Sequence, residues 1–348
     1  MEYRNLGLTG VKVSTICLGT MTFGEQNTQD EASAQMDYAV VQGVNFFDTA
    51  ELYAIPPKAE TYGRTEEIIG NWLAQSKKRV GVVIATKIAG PAPGLPWIRR
   101  GETALGRAQM VEAVEGSLKR LKTDYIDLYQ IHWPERPVNS FGKLGYGEDG
   151  VSGKESDAIL ETLRALADQV KAGKLRHIGL SNETPWGVMT WLKNHAVNNL
   201  PRVVSIQNPY NLLNRSFEVG LAEMAMQEKV GLLAYAPLGA GTLSGKYLDG
   251  QIPKGSRWDI DSRGSRYKKP KAKEAIRAYH AVAKKHGLDP TQMAISFCNR
   301  QPFLTSTIIG ATKMEQLKSN IAAMELKLSD AVVDDINAVH ALVPNPCP

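Results

Sequence analysis

Polar or ionisable residues close several apolar runs of this sequence, and their types suit proton transfer. Asp48, Lys87 and His132 each end such a run, and Tyr53 follows Asp48 within the next turn of chain. The unperturbed pKa of tyrosine is about 10, so an unassisted tyrosine is a weak acid near neutral pH. A nearby lysine stabilises the phenolate and lowers that pKa, and Asp48 can keep the lysine charged. The set suits delivery of a proton to an oxygen that is gaining negative charge, with His132 steering that oxygen.

Each of these residues also has a purely structural interpretation. Asp48 can cap the following segment, Lys87 can extend its ammonium to solvent, and His132 can be a hydrogen-bonded core histidine. Ser181-Asn182 and Gln207 close two further apolar runs. Packing alone is a poor explanation for polar residues at so many strand ends, because buried charges need partners.

The elements that must position these residues are strands and helices in alternation. Continuous apolar runs rich in β-branched residues are typical of parallel strands buried on both faces. The predicted strands are Ser14–Gly19, Val44–Asp48, Val82–Lys87, Tyr125–His132, His177–Asn182, Val203–Asn208, Leu232–Leu238 and Ser306–Gly310. Apolar residues at helical spacing over 110–121 and 159–170 predict helices between them, and Thr184-Pro185 and Ser329 mark helix starts.

Repeated strand–helix alternation without a linker predicts one α/β domain over residues 1–348, a closed (β/α)8 TIM barrel. An open doubly wound sheet is the alternative. Residues 91–107, 134–156 and 248–270 are longer than ordinary connections, and each follows a strand. We therefore expect these three stretches at the carboxyl end of the barrel, where active sites of this fold are built. The tail, residues 342–348, is expected to be frayed.

Composition excludes several classes of protein. The chain has 41 Lys and Arg against 36 Asp and Glu, a net charge of +5, and 43% hydrophobic residues, so a disordered, collagen-like or coiled-coil chain is excluded. The densest basic run, Lys268-Lys269-Pro270-Lys271, reads as a solvated loop, and we expect no nucleic-acid partner. None of the six histidines forms an HExxH or HxH pair, so we expect no metal site.

The cysteines and the hydropathy of the sequence indicate the cellular compartment in which the protein is expected. The three cysteines contain no CxxC pair, which favours a reducing environment. The start of the chain lacks the apolar segment of a signal peptide. The longest uncharged stretch, Val230 to Gly245, is interrupted by Pro237 and is too short to span a bilayer. The sequence therefore predicts a soluble cytoplasmic protein without a membrane partner.

Nucleotide-binding motifs are incomplete. Gly239 to Ser244 has serine where GxGxxG requires its last glycine, and the following Lys246-Tyr247 lacks the Ser or Thr that ends a P-loop. The loop also follows the seventh predicted strand, whereas a Rossmann fingerprint follows the first. Its backbone N–H groups and Lys246 can still contact a pyrophosphate, and an ordinary glycine turn is the other interpretation.

Taken together, these motifs resemble the aldo-keto reductase superfamily, from about Tyr3 to about His340. The family's catalytic tetrad corresponds to Asp48, Tyr53, Lys87 and His132, within the motifs FDTAELY, ATK and QIHWP. Further matching stretches are 17–24, 179–182, 207–213 and 235–239. The resemblance implies a (β/α)8 barrel that reduces an aldehyde or ketone with a nicotinamide cofactor bound at the carboxyl rim.

The resemblance also implies cofactor contacts. Ser181, Asn182 and Gln207 would hold the carboxamide, and Tyr235 would stack on the nicotinamide ring. The pyrophosphate would lie along Leu238, Gly239, Gly241, Gly245 and Lys246, with Arg257 closing over it. The adenosine and any 2′-phosphate would contact Gly310, Thr312, Lys313, Gln316 and Asn320. The remaining cofactor-binding residues are Thr20, Met21, Asp48, Ala236 and Pro237.

The cofactor is expected to be NADPH, with NADH as the alternative. Many relatives carry Lys and Arg where this chain has Gly310 and Gln316, which weakens the basis for binding a 2′-phosphate. Arg257 and Lys313 can supply the missing positive charge.

Apolar residues near the tetrad suggest the substrate class. Met21, Phe23 and Trp133, together with Trp97 and Trp258, are candidates for lining a pocket, which favours uncharged or aromatic carbonyl compounds. Packing at the rim of the barrel is the alternative role for each.

Two other functions compete with reduction. The resemblance extends to potassium-channel β subunits, which keep the barrel and cofactor site while serving a partner. Those relatives lack the tetrad histidine, whereas His132 is present here. Glycoside hydrolysis needs two carboxylates around a scissile bond, and Glu51 and Glu183 lie near strand ends. Both, however, stand where the family has loop or helix-start residues.

Overall fold

The computed structural model describes residues 1–148, 151–260 and 266–348. Residues 149–150 and 261–265, which belong to the predicted loops 134–156 and 248–270, lie outside the described residues. Eight parallel strands close into a barrel in which consecutive strands pair and the last strand, Leu304–Ile309, also pairs with the first, Ile16–Gly19. The predicted (β/α)8 TIM barrel is therefore confirmed, and the doubly wound sheet is wrong.

The strands alternate with helices along the chain. A hairpin of β1 (Tyr3–Asn5) and β2 (Lys12–Ser14) precedes the barrel strands, which are β3 (Ile16–Gly19), β4 (Phe46–Asp48), β5 (Val83–Ile88), β6 (Ile126–Ile131), β7 (Leu175–Ser181), β8 (Val203–Pro209), β9 (Gly231–Tyr235) and β10 (Leu304–Ile309). The helices are α1 (Gln29–Val41), α2 (Arg64–Ser76), α3 (Arg107–Leu121), α4 (Glu155–Lys171), α5 (Pro185–Asn198), α6 (Leu221–Gln227), α7 (Arg257–Ile260), α8 (Pro270–Lys285), α9 (Pro290–Asn299), α10 (Met314–Ala322) and α11 (Asp330–Leu342).

The amino-terminal hairpin was not predicted. Ser14, assigned from sequence to the first barrel strand, instead pairs with Tyr3 across the antiparallel hairpin. Gly7 and Gly10 both have positive φ, and the Leu6 N–H donates to the Val11 carbonyl at 2.8 Å, which reverses the chain. Leu6 packs with the inward-facing apolar residues of the barrel, so the hairpin contributes to the barrel's interior core.

Both predicted helix starts are confirmed, and one of the two cap residues bonds its helix through its side chain. The Thr184 side chain accepts from the Gly187 N–H at 3.2 Å, with Pro185 in the first turn of α5. Ser329 precedes α11, as predicted. The apolar faces of α3 and α4 join the large core between the helices and the barrel.

The tail is packed, which corrects the expectation of fraying. Cys347 is fully buried, and its N–H donates to the Leu213 carbonyl at 3.1 Å. The Asn345 side chain accepts from the Arg215 N–H at 2.6 Å. These backbone bonds hold the last residues against the segment after β8, even though three prolines prevent regular structure there.

Candidate active site

Parallel pairing places the predicted polar residues at one end of the barrel. Asp48 ends β4 and pairs with Ala85 of β5, while Lys87, two residues further along, pairs with Gln130 of β6. His132 directly follows β6. Since all barrel strands run in the same direction, their carboxyl ends meet at one rim.

Lys87 is fully buried and bound on two sides. Its Nζ donates to Asp48 Oδ2 at 2.7 Å and to the Thr49 carbonyl at 2.7 Å. Burial works against the charged amine, yet the Asp48 carboxylate and the Tyr53 hydroxyl hold the pKa of Lys87 above its usual value. The ammonium is therefore charged throughout the physiological pH range.

Tyr53 lies directly against this ammonium. Lys87 Nζ is 4.9 Å from the centre of the Tyr53 ring. Burial raises the pKa of Tyr53 above its usual value, and Lys87 acts in the opposite direction, as predicted from the sequence. The lowering by Lys87 is present, but burial outweighs it, so the phenol is protonated at neutral pH.

His132 faces Tyr53 from the position directly after β6. The two ring centres are 5.7 Å apart in an edge-on arrangement. Burial, together with the nearby Lys87 charge, lowers the pKa of His132 well below its usual value, so the imidazole is neutral. A neutral imidazole can donate one hydrogen bond to a substrate oxygen without competing for the proton of Tyr53.

Asp48 has two amide partners, one of which sequence reasoning missed. Gln207 Nε2 donates to Asp48 Oδ1 at 2.8 Å, and Gln130 Nε2 donates to the same oxygen at 3.3 Å. Gln207 also donates to Gln130 Oε1 at 3.2 Å. Gln130 stands two residues before His132, and the two-residue period of a strand is the signal that would have found it.

The predicted nicotinamide contacts come together beside the tetrad. Tyr235 donates to Asn182 Oδ1 at 2.7 Å, and Asn182 Nδ2 donates to the His132 carbonyl at 2.8 Å. The Ser181 hydroxyl donates to the Gln207 carbonyl at 2.7 Å. Burial raises the pKa of Tyr235 to about 12, with Arg266 opposing the rise. Arg266 beside Tyr235 was not predicted.

The loop after β9, predicted to contact the pyrophosphate, is built on three glycine turns. Gly239, Gly241 and Gly245 all have positive φ, and a Cβ on Gly245 would lie 2.3 Å from His280 Cε1. A Cβ on Gly241 would meet the Lys246 side chain at 3.0 Å, so Lys246 folds back over this turn. Ala236, Pro237 and Leu238 form the connection from β9 into it.

Aromatic stacking ties the segment around Trp258 to this turn. Trp258 stacks on Tyr247 with ring centres 4.2 Å apart and planes inclined by only 2°. This contact places Trp258 beside the glycine loop. Arg257, its neighbour in α7, is close enough to Tyr53 to contribute to lowering the pKa of Tyr53, which burial raises.

The predicted adenosine contacts cluster around the start of α10. Gln316 Oε1 accepts from the Thr312 N–H at 3.0 Å, and Asn320 Nδ2 donates to the Gly310 carbonyl at 3.2 Å. Asn320 is buried, and its bond to the Gly310 carbonyl supports this turn. Lys313 caps α10 and is exposed, as a phosphate ligand would be.

An apolar cluster borders Tyr53. Met21, Trp97 and Trp133 pack with Tyr53 around a small buried group that includes Ile98. The Trp133 indole donates to the Pro91 carbonyl at 3.1 Å. The Thr20 hydroxyl donates to the Asp48 carbonyl at 2.7 Å, which fixes the strand ends below this cluster.

Phe23, predicted to line the substrate pocket, lies in the main core. It is fully buried in the main core between the barrel and the helices, and its carbonyl accepts from the Thr65 hydroxyl at 2.7 Å. The reversal of the chain after Met21 turns Phe23 away from the rim and toward α2.

The two carboxylates considered for glycoside hydrolysis are held by arginines. Arg99 pairs with Glu51, and Arg136 Nη1 pairs with Glu183 Oε2 at 3.1 Å. Among the described residues, no group of three His, Cys, Asp or Glu side chains is arranged to hold a metal ion. No helix within the described residues has the length and apolarity needed to cross a bilayer.

Comparison with known proteins assigns the class. The aldo/keto reductase family model matches residues 15–341, and the chain belongs to this family of oxidoreductases, whose members generally use NAD(P)H. Over 348 residues, the whole of both chains, it is 51% identical to Protein tas of Escherichia coli (strain K12). It is 33% identical to the uncharacterized oxidoreductase YrpG of Bacillus subtilis (97% of this chain, 96% of the relative) and 31% identical to a probable voltage-gated potassium channel subunit beta of Arabidopsis thaliana (97% and 96%).

Proposed function

We propose that this protein reduces aldehydes or ketones to alcohols with NADPH, and that Tyr53 donates the proton. The observation that carries the proposal is a buried ammonium, Lys87, bound to Asp48 at 2.7 Å and lying 4.9 Å from the Tyr53 ring centre. A cation at this position stabilises the phenolate that remains once the proton has left.

When bound, the nicotinamide supplies the hydride. His132, neutral and edge-on to Tyr53, orients the carbonyl oxygen toward the phenol. Tyr53 transfers its proton to that oxygen as negative charge develops on it. Lys87 stabilises the resulting phenolate, and Asp48, itself held by Gln207 and Gln130, keeps the ammonium in place.

The residues around the tetrad fit a nicotinamide dinucleotide. Asn182, Ser181 and Gln207 lie beside Tyr235 and would hold the carboxamide over the Tyr235 ring. The glycine turn that ends in Lys246 would bind the pyrophosphate. A Cβ on Gly310 would meet nothing within 4 Å, which leaves room for the adenosine end.

Substrates are proposed to be uncharged, and aromatic carbonyl compounds fit best. The apolar cluster of Met21, Trp97 and Trp133 adjoins Tyr53, so an aromatic ring bound there would bring its carbonyl to the phenol. The three free, buried cysteines favour a reducing compartment, and we propose the cytoplasm.

A second candidate is a cofactor-binding module that serves a protein partner. The 31% identity to a probable potassium channel β subunit over 97% of this chain favours it. The complete tetrad, including His132, favours catalysis.

Purified protein should be titrated with NADPH and with NADH by tryptophan quenching, and benzaldehyde should then be added. Tight NADPH binding followed by its oxidation supports the reductase. Binding without turnover across several aldehydes and ketones favours the partner-binding module, and failure to bind either nucleotide contradicts both candidates.

A further inference from the structure

A buried ion pair that the tetrad does not use lies directly beside it. Glu51 is in the loop that carries Tyr53, and Arg99 is in the long loop that follows β5 and carries Trp97. The Glu51 side chain is 0% exposed and the Arg99 side chain is 2% exposed. Charged side chains are rarely buried to this extent unless they are paired.

The pair binds both backbone polar groups of Ala89. The Ala89 N–H donates to Glu51 Oε1 at 2.6 Å, and the Ala89 carbonyl accepts from Arg99 Nη2 at 3.0 Å. Ala89 directly follows the last residue of β5, whereas β4 has already ended at Asp48. Buried backbone groups need hydrogen-bond partners, so the two side chains replace a strand neighbour two residues beyond Lys87.

Glu51 also joins the Tyr53 loop to β5 through its backbone. Its N–H donates to the Lys87 carbonyl at 3.2 Å, and the Tyr53 N–H donates to the Ala50 carbonyl at 3.1 Å. The distance between the phenol and the ammonium therefore depends on a segment that Glu51 fastens at two points.

Arg99 holds the other loop in an unfavourable backbone conformation. Arg99 and Arg100 have φ of 43° and 57°, in the region that L-residues with side chains rarely adopt. Arg99 Nε also donates to the Glu102 carbonyl at 3.3 Å. The neighbouring Trp97 packs in the apolar cluster that borders Tyr53.

We propose that Glu51 and Arg99 are a positioning pair, which sets the geometry of Tyr53 relative to Lys87 and holds the Trp97 wall of the substrate pocket. This inference rests on the proposed reductase function. Neither side chain is assigned to contact the reacting atoms.

The charges around Glu51 make the pair testable by pH. Arg99 faces Glu51 from its loop, Tyr62 donates to Glu51 Oε2 at 3.3 Å, and Arg120 of α3 and Tyr129 of β6 are further electrostatic neighbours. Burial raises the pKa of Glu51, and Arg99 opposes that rise. Removing Arg99 therefore raises the pKa further.

The variants are E51Q, R99M and the double variant, with D127N as a matched control. Asp127 accepts from the Ile84 N–H at 3.0 Å near the opposite end of β5, and it pairs with Arg79 at 2.8 Å. Like E51Q, D127N replaces a carboxylate that accepts a backbone hydrogen bond at β5 with an amide. It does so away from the tetrad.

E51Q and R99M should lower kcat by about tenfold to a hundredfold, since small displacements of reacting groups cost this much. Their Kd for NADPH should stay within about twofold of wild type, and R99M should also raise the KM for carbonyl substrate. D127N should lower the melting temperature while retaining kcat. R99K shows whether the charge alone restores activity; we expect little rescue, because lysine lacks the planar fork that bridges Ala89 and Glu51.

In R99M the folded state holds the Glu51 proton more tightly than the unfolded chain does, so stability falls as pH rises through the raised pKa. In R99M, kcat should also fall as pH rises through this pKa. In the double variant E51Q/R99M, neither stability nor kcat should show this fall. Equal kcat losses in E51Q and D127N, or the same pH trend in R99M and the double variant, would overturn the inference.

Failure of the reductase proposal is recognised separately. If the wild type binds NADPH but reduces no carbonyl, hydrogen exchange at the Ala89 amide decides whether the pair holds the strand end. Faster exchange in E51Q than in D127N supports the positioning role, and equal exchange contradicts it.

Discussion

At the scale of single residues, the account depends on how Lys87 acts on Tyr53. Burial raises the pKa of Tyr53 and the Lys87 ammonium opposes that rise. Reduction uses the protonated phenol, so activity is present below the Tyr53 pKa and is lost above it. Removing the ammonium by Lys87→Met should therefore move the alkaline limb of kcat to higher pH and lower its plateau, because the phenol becomes a weaker acid.

The measurement is kcat for aldehyde reduction from about pH 6 to about pH 11. Lys87→Met leaves Asp48 without its ammonium, so the double variant Asp48→Asn/Lys87→Met serves as a second test free of an unpaired buried charge. An alkaline limb that stays in place or moves to lower pH in both variants would contradict the role given to Lys87.

Residue types could be read from the sequence, but partners could not. Asp48, Lys87 and His132 could be identified from the sequence because they are ionisable residues at the ends of apolar runs. Gln130 was missed because it is an uncharged residue inside a strand, and its type alone does not indicate the hydrogen bond that it makes to Asp48. Arg99 lies 48 positions from Glu51, and such a pairing depends on a loop path that no local pattern encodes.

At the scale of elements, the glycine loop after β9 requires a residue without a side chain at Gly245. Its φ is +81°, and a Cβ would lie 2.3 Å from His280 Cε1. Gly245→Ala should therefore displace the loop and raise the Kd for NADPH by about tenfold or more. Gly287→Ala is the matched control, because Gly287 also has positive φ but open space around its Cβ position.

Fluorescence titration of both glycine variants with NADPH provides the comparison. We expect Gly287→Ala to bind as the wild type does, with a lower melting temperature. Unchanged NADPH affinity in Gly245→Ala would show that the glycine loop does not contact the cofactor.

The start of α10 should select between the two nicotinamide cofactors. Lys313 is exposed at the amino-terminal cap of this helix, where an anion is favoured by both the ammonium and the free backbone N–H groups. Lys313→Met should raise the Kd for NADPH by about tenfold to a hundredfold, the effect of losing one charged hydrogen bond, while NADH binding is unchanged.

Lys318→Met removes an exposed lysine from the same helix and controls for net charge. Isothermal titration of each variant with NADPH and NADH shows whether Lys313 contacts the 2′-phosphate or a part that both cofactors share. Equal weakening of both cofactors by Lys313→Met would mean that Lys313 contacts a part that they share, which contradicts its assignment to the 2′-phosphate.

At the scale of the whole molecule, the barrel was predictable because its strands are buried on both faces and read as continuous apolar runs. The hairpin β1–β2 was not predicted because its strands are only three residues each and are partly exposed, so they do not form continuous apolar runs. The tail was expected to fray because it is the end of the chain, but Asn345 and Cys347 form long-range hydrogen bonds with the segment after β8. Phe23 was predicted at the pocket and lies in the core, because one turn of chain separates the rim from the core.

The central claim is that Tyr53 delivers the proton in an NADPH-dependent reduction. The most direct measurement is a single turnover, in which wild type and Tyr53→Phe are each loaded with NADPH and mixed with benzaldehyde while nicotinamide absorbance is followed. We predict that both bind NADPH equally, that the wild type oxidises it with formation of benzyl alcohol, and that Tyr53→Phe does so slower by about a hundredfold or more. Reduction by Tyr53→Phe at the wild-type rate would contradict the account.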